Sequence, residues 1–231
     1  MSHTMDILTA QERGELAALC RSRALTYRML ARLFQKELDE SYLDVLSAMR
    51  YPVSTGNPKV DAGYRAIATY LSGRWENTVE ELAIDYARTF LGSGIDAYSA
   101  AYPNESVYTS ERRLLMQEAR DEVRAIYRSE GLEKLSDFAE CDDHLGVELE
   151  FMGEMAARTA ASFEAADDVE GVRLLAVQRH FLEDHLSNWV PMMLEDARKF
   201  ARTGLYQGLA QLTEGYLANE AELLGELIEE D

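Results

Sequence analysis

Apolar side chains recur at three- and four-residue steps along most of the chain, the signature of helices buried on one side. Leu16, Leu19, Tyr27, Leu30 and Phe34, with Ala24 and Ala31 between them, share one face of a first helix whose other sides contain Arg21, Arg28 and Arg32. After a break at 38–40, a short helix is expected over 41–50. Tyr51-Pro52 ends it, because proline lacks a donor and biases the residue before it away from helical geometry. Beyond a loop at 54–58, helices are expected over 60–71 and 79–91. The second follows a capping box from Thr78 to Glu81 and stops at Gly92-Ser93-Gly94. Further helices are expected over 114–127, from a cap at Asp142 with Leu145, Leu149, Met152 and Ala156 as a stripe, and over 172–186. Another is capped by Asn188 with Pro191 in its first turn, and a last one runs over 205–228.

Two segments interrupt this rhythm. Residues 95–108 follow neither a helical nor a strand period, yet contain Tyr98, Tyr102, Pro103, Val107 and Tyr108. So aromatic a loop cannot be solvated throughout and is expected to pack over the surface and wall a groove. The connection 129–140, with Gly131, reads as the boundary between two halves, with a hinge at about 129–141. Roughly eight to ten helices and no sustained alternation predict an all-α fold, a single helical bundle over 1–231. The absence of a fixed internal period disfavours a solenoid.

Composition narrows the function. The 231 residues include 42 acidic and 23 basic side chains, a formal charge of −19. Such a field repels nucleic-acid backbones and anionic lipid, so no nucleic-acid partner is expected. No apolar run is long enough for an integral membrane segment. The charge is uneven: residues 1–120 have a net charge of −2 and residues 121–231 a net charge of −17. One reading is simply solvated helix faces and an acidic tail; the other is a basic partner. Cys20 and Cys141 are too few for a disulfide framework, and the start lacks the basic and apolar pattern of a secretory signal, so a cytoplasmic location is expected.

Enzyme signatures are missing: no nucleophile elbow, no phosphate loop and no dinucleotide fingerprint. The nearest metal-like array is Asp143, His144 and Glu148, with His144 and Glu148 one turn apart, which falls short of a closed site. His180 and His185, five apart, lie on different faces, and His185 reads as a histidine at a helix C-terminus. Neither a cofactor, a metal nor a catalytic residue is expected.

Two stretches are more specific: Tyr102-Pro103-Asn104-Glu105-Ser106-Val107-Tyr108, and residues 140–152, which contain Asp142-Asp143-His144 followed by Glu148 and Met152. Together, and in order with Tyr27–Phe34, Tyr86–Phe90 and the passage His185-Leu186 to Trp189-Val190-Pro191, they resemble the TorD/DmsD/NarJ family of cytoplasmic molybdoenzyme maturation chaperones. Cys141 departs from that pattern, which usually has proline at this position. The resemblance implies a non-enzymatic chaperone. It would bind the signal or leader peptide of a molybdopterin-containing oxidoreductase subunit, often a twin-arginine signal, and hold the apoenzyme until its cofactor is inserted. A twin-arginine segment is basic and then apolar. The expectation is that Asp142, Asp143 and Glu148 meet its basic start with His144 beside them. Tyr98, Tyr102, Glu105, Ser106, Val107, Tyr108, Met152 and Trp189 would complete the site. The alternatives are a NarJ-type chaperone of a non-exported nitrate reductase, a metal- or nucleotide-dependent hydrolase, and a structural adaptor. A homodimer stays open.

Overall fold

A computed structural model describes residues 8–92, 99–134 and 138–229. Regular structure in them is helical: α1 (Ala10–Gln35), α2 (Glu40–Ala48), α3 (Pro58–Ser72), α4 (Thr78–Tyr86), α5 (Glu105–Thr109), α6 (Glu118–Ser129), α7 (Leu145–Glu164), α8 (Asp168–Phe181), α9 (Ser187–Phe200) and α10 (Gly204–Glu229). The expected all-α bundle is thus what the chain forms. Tyr98 lies outside the described residues, as does 135–137 of the expected hinge.

At the centre runs α7, whose stripe Leu145, Leu149, Met152 and Ala156 is fully buried. Each such large side chain contributes roughly 1.5–3 kcal/mol by leaving water. Helix α1 lies along one side of it and α8 along another, while α10 packs on α3, α9 and α8. Helices from the near-neutral first half therefore lie directly on helices from the acidic second half. The α3–α10 approach is close because Gly63 has no side chain: a Cβ there would stand 2.6 Å from the backbone nitrogen of Leu212.

Several boundaries differ from the sequence expectation, each for a local reason. Helix α6 starts at Glu118 because Arg113 and Met116 take left-handed backbone angles, φ 50° and 59°, which no helix tolerates. Thr78 forms no capping box; its hydroxyl accepts the Trp75 N–H instead, and Asn77 is the uncapped N-cap. Nor does a new helix start at Asn188. The chain passes from α8 through a π turn, Leu182–Leu186, straight into α9, and Pro191 sits inside that continuous rod. A second π turn, Ala87–Leu91, extends α4.

One charged pair crosses the interior. Arg23 of α1 meets Glu220 of α10 with Nη2 2.7 Å from Oε2, and both side chains are 3% exposed. A second contact, Nε to Oε2 at 2.9 Å, completes a two-point fork. Breaking such a pair strands a charge, whereas replacing both partners with apolar side chains is far cheaper. Glu220→Ala is expected to cost about 3–5 kcal/mol in urea unfolding, and Arg23→Met combined with Glu220→Leu much less.

Candidate functional site

The two motif stretches meet at the N-terminus of α7. They are joined backbone to backbone: the Glu105 N–H donates to the Asp143 carbonyl at 2.9 Å and the Leu145 N–H to the Pro103 carbonyl at 2.8 Å. Asn104 and His144 form an isolated antiparallel bridge between these bonds. The side chain of Asp143 reaches across and accepts the Ser106 N–H at 2.9 Å. From α6, Tyr127 donates to the Asp142 carbonyl at 3.1 Å, and Arg120 Nε donates to the Asp142 carboxylate at 3.0 Å. The result is a clasp of three segments, 102–108, 117–127 and 141–145.

His144, not Asp142, caps α7. Its Nδ1 accepts the Gly146 N–H at 3.0 Å, and burial pushes its pKa down to about 3, so the ring is neutral and suited to accept. Gly146 lets α1 approach: a Cβ there would lie 2.5 Å from Gln35 Cγ and 3.2 Å from the Ala31 carbonyl oxygen.

Below the clasp the interior is polar. Both carboxylate oxygens of Glu105 lie near His185 Nδ1, at 3.1 and 3.2 Å. Trp189 Nε1 donates to Glu148 Oε2 at 3.2 Å. Glu148 is fully buried; loss of hydration raises its pKa well above the usual carboxylate range, and the neighbouring Glu105 and Asp143 raise it further. One oxygen each of Asp143 and Glu148 has no hydrogen-bond partner in the structure.

Most of the residues singled out in the sequence therefore come together, but inside the protein. Glu105, Ser106, Val107, Asp143, His144, Glu148, Met152 and Trp189 are each 3% exposed or less, and Asp142 is 7% exposed. The acidic rim expected from the sequence is thus not formed by these acids: Asp143 and Glu148 face inward and Asp142 is paired with Arg120. Tyr102 and Tyr108 are half-buried. Tyr108 stacks on Trp189 with ring centroids 5.8 Å apart, and its hydroxyl donates to Asp196 at 3.3 Å.

Sequence reasoning overlooked Arg120, Tyr127 and the role of His185. The π turn rotates His185 inward, where it meets Glu105, 80 positions away in sequence; no local period reports that contact. Among the described residues no three His, Cys, Asp or Glu are disposed to hold a metal ion. A cleft of about 550 Å³ opens against α7, and Val147 and Phe151 from the second motif stretch line it.

An all-helical chain with this clasp matches a family described as the nitrate reductase delta subunit, over residues 57–195. The chain belongs to that family, the one the two motifs resemble. Among its relatives, chaperone protein TorD of Vibrio parahaemolyticus (serotype O3:K6) is 30% identical over 92% of this chain and 99% of its own length. Chaperone protein TorD of Vibrio cholerae (El Tor Inaba N16961) is 28% identical, covering 94% and 98%. That of Aliivibrio salmonicida is 24% identical, covering 91% and 98%.

Two of the buried titratable groups, Glu148 and His144, pull stability in opposite directions with pH. Glu148 has a raised folded pKa, so its contribution is fully present below the unfolded value of 4.5 and is lost as pH rises through the folded value. His144 has a lowered one, so its contribution is present above 6.5 and is lost as pH falls towards 3. Relative to Glu148→Gln, the wild type is expected to lose up to about 1.4 kcal/mol per pH unit above pH 4.5, read by urea unfolding across pH. A constant difference between the two proteins would show that Glu148 keeps an ordinary pKa.

Proposed function

We propose that this protein is a maturation chaperone. It binds the N-terminal signal or leader region of a molybdenum-cofactor oxidoreductase subunit and holds the apoenzyme for cofactor insertion before export. The observation that carries this reading is the similarity to TorD chaperones along nearly the whole chain, rather than over one motif. The excess of acid suits a basic-then-apolar ligand.

The motif residues serve this role from behind the surface. Asp143 holds segment 102–108 to the start of α7, Asp142 ties in α6 through Arg120, His144 caps α7, and Glu148, Glu105, His185 and Trp189 fill the space beneath. Direct contact between Asp143 or Glu148 and an arginine would require the clasp to open. Among the described residues of the set, Tyr102 and Tyr108 are the half-buried ones.

A second reading is favoured by the family description, nitrate reductase delta subunit: the client is then a non-exported nitrate reductase whose leader carries no export signal. Both readings use a peptide folding onto a groove. Exposed charge pairs contribute up to ~1 kcal/mol each and weaken with salt, while apolar burial contributes ~25 cal/mol per Å² and supplies most of the affinity. After the cost of ordering the peptide, binding of about micromolar strength is expected.

Calorimetric titration with a twin-arginine signal peptide tests this, and raising salt should weaken binding only modestly. Complete loss at moderate salt would show that charge, not burial, dominates. Binding of a nitrate reductase leader with no binding of the twin-arginine peptide would select the second reading. Absence of binding to both would overturn the proposal.

A further inference from the structure

The cleft against α7 adjoins a second basin with which it shares lining residues. Tyr127, Leu132, Phe138, Val147 and Phe151 give the first an apolar floor. The second, also about 550 Å³, has Val79, Ala83, Tyr86 and Leu91 as its floor. Gln35 and Lys36, at the end of α1, line both and form a saddle between them. The saddle is held in place: Gln35 Nε2 donates to the Gly146 carbonyl at 3.2 Å and to Glu150 at 2.9 Å.

Three exposed carboxylates stand around that saddle, Glu150 in the first basin and Glu37 and Glu140 in the second. None of the three forms an ion pair among the described residues. Further along the first basin the acids are already matched, Glu133 with Arg128 and Glu154 with Arg28 and Arg158. Lys134 is likewise engaged, with its ammonium on the Phe138 carbonyl and over the Phe138 ring. That leaves three carboxylates with no ion pair among the described residues, against the cation of Lys36, beside an apolar floor. Negative charge of this kind repels a phosphate-bearing ligand and attracts adjacent cations, and the floor selects apolar side chains next to them.

We infer that the leader peptide lies across this saddle, with two consecutive basic residues over Glu37, Glu140 and Glu150 and its apolar run in the basin floored by Val147 and Phe151. This rests on the reading above that the protein binds such a leader; it adds where, and through which side chains. Neither Asp143, His144 nor Glu148 lines either basin. The charged contacts are therefore Glu37 and the outward-facing Glu140 and Glu150 of the second stretch, while its buried acids, Asp143 and Glu148, help fix the α7 end of the trough.

The test uses the full chain and a fluorescent twin-arginine peptide in anisotropy titrations. Glu140→Lys with Glu150→Lys is expected to weaken binding about tenfold, two exposed attractions lost and two repulsions gained. Glu222→Lys with Glu226→Lys, at exposed positions of α10, makes the same change in net charge and is expected to leave binding within about twofold. A peptide whose two arginines are replaced by glutamates should bind the first double variant better than it binds the wild type. Equal weakening by both pairs, or by neither, would overturn the saddle while leader binding stands. Failure of the wild type to bind the peptide would overturn the leader reading and the saddle together. Thermal melts check that each variant is folded.

Discussion

How closely α1 approaches α7 governs this end of the molecule. The approach depends on Gly146, where any side chain would press against the Ala31 carbonyl and Gln35. Because Gly146 lies in the first turn of α7, next to the capping His144, the same close contact that seats α1 also fixes where α7 begins. From that point the segment 141–145 is pinned to 102–108 by two backbone bonds and the Asp143 side chain. In the other direction, Gln35 bridges to the Gly146 carbonyl and Glu150 and so sets the floor level of the outer trough. The buried clasp and the open trough are thus two faces of one helix contact.

The interior beneath the clasp is unusual for a bundle core, because carboxylic groups are gathered there and, among the described residues, the one buried arginine, Arg23, is paired with Glu220. Transfer of an ionised carboxylate to such a place is prohibitive, so neutralisation is the cheaper outcome, and the raised pKa of Glu148 expresses this. A neutral Glu148 adds nothing to the external field. The acids of the saddle, Glu37, Glu140 and Glu150, face solvent, whereas Asp143 and Glu148, from the same stretch as Glu140 and Glu150, face inward.

Much of the fold was legible because helices announce themselves by period. The α7 stripe and most of the long faces of α1 and α10 lie where three- and four-residue spacing puts them. Boundaries set by side-chain competition were less so: Thr78 caps a turn rather than a helix, and a π turn hides the expected break at Asn188. The two motif stretches were identified as partners, yet their burial was not foreseen. A run such as Asp142-Asp143-His144 reads as solvated when only its neighbours are considered. What takes it inside is the Ser106 N–H, 37 positions from Asp143, and the Tyr127 hydroxyl and Arg120 of another helix. The trough was illegible for the same reason, since its lining comes from α1, α4, α6 and α7 and from residues 36–39, 132–134, 138 and 140 between helices.

This geometry separates two physical jobs that the sequence had assigned to one motif. Exposed negative charge acts over a Debye length of about 8 Å at physiological salt and raises the rate at which a basic segment arrives. It cannot hold the segment, because each solvated pair is worth little once water competes for both partners. Retention needs apolar area withdrawn from water, and that needs a floor that does not collapse when empty. The floor of the first basin is shared with the core, since Phe151 packs on Tyr127 and Phe181 while it lines the cleft. Its shape is therefore maintained by the same packing that closes the bundle, and the clasp bears on that packing through Tyr127, which touches Phe151 and donates to the Asp142 carbonyl.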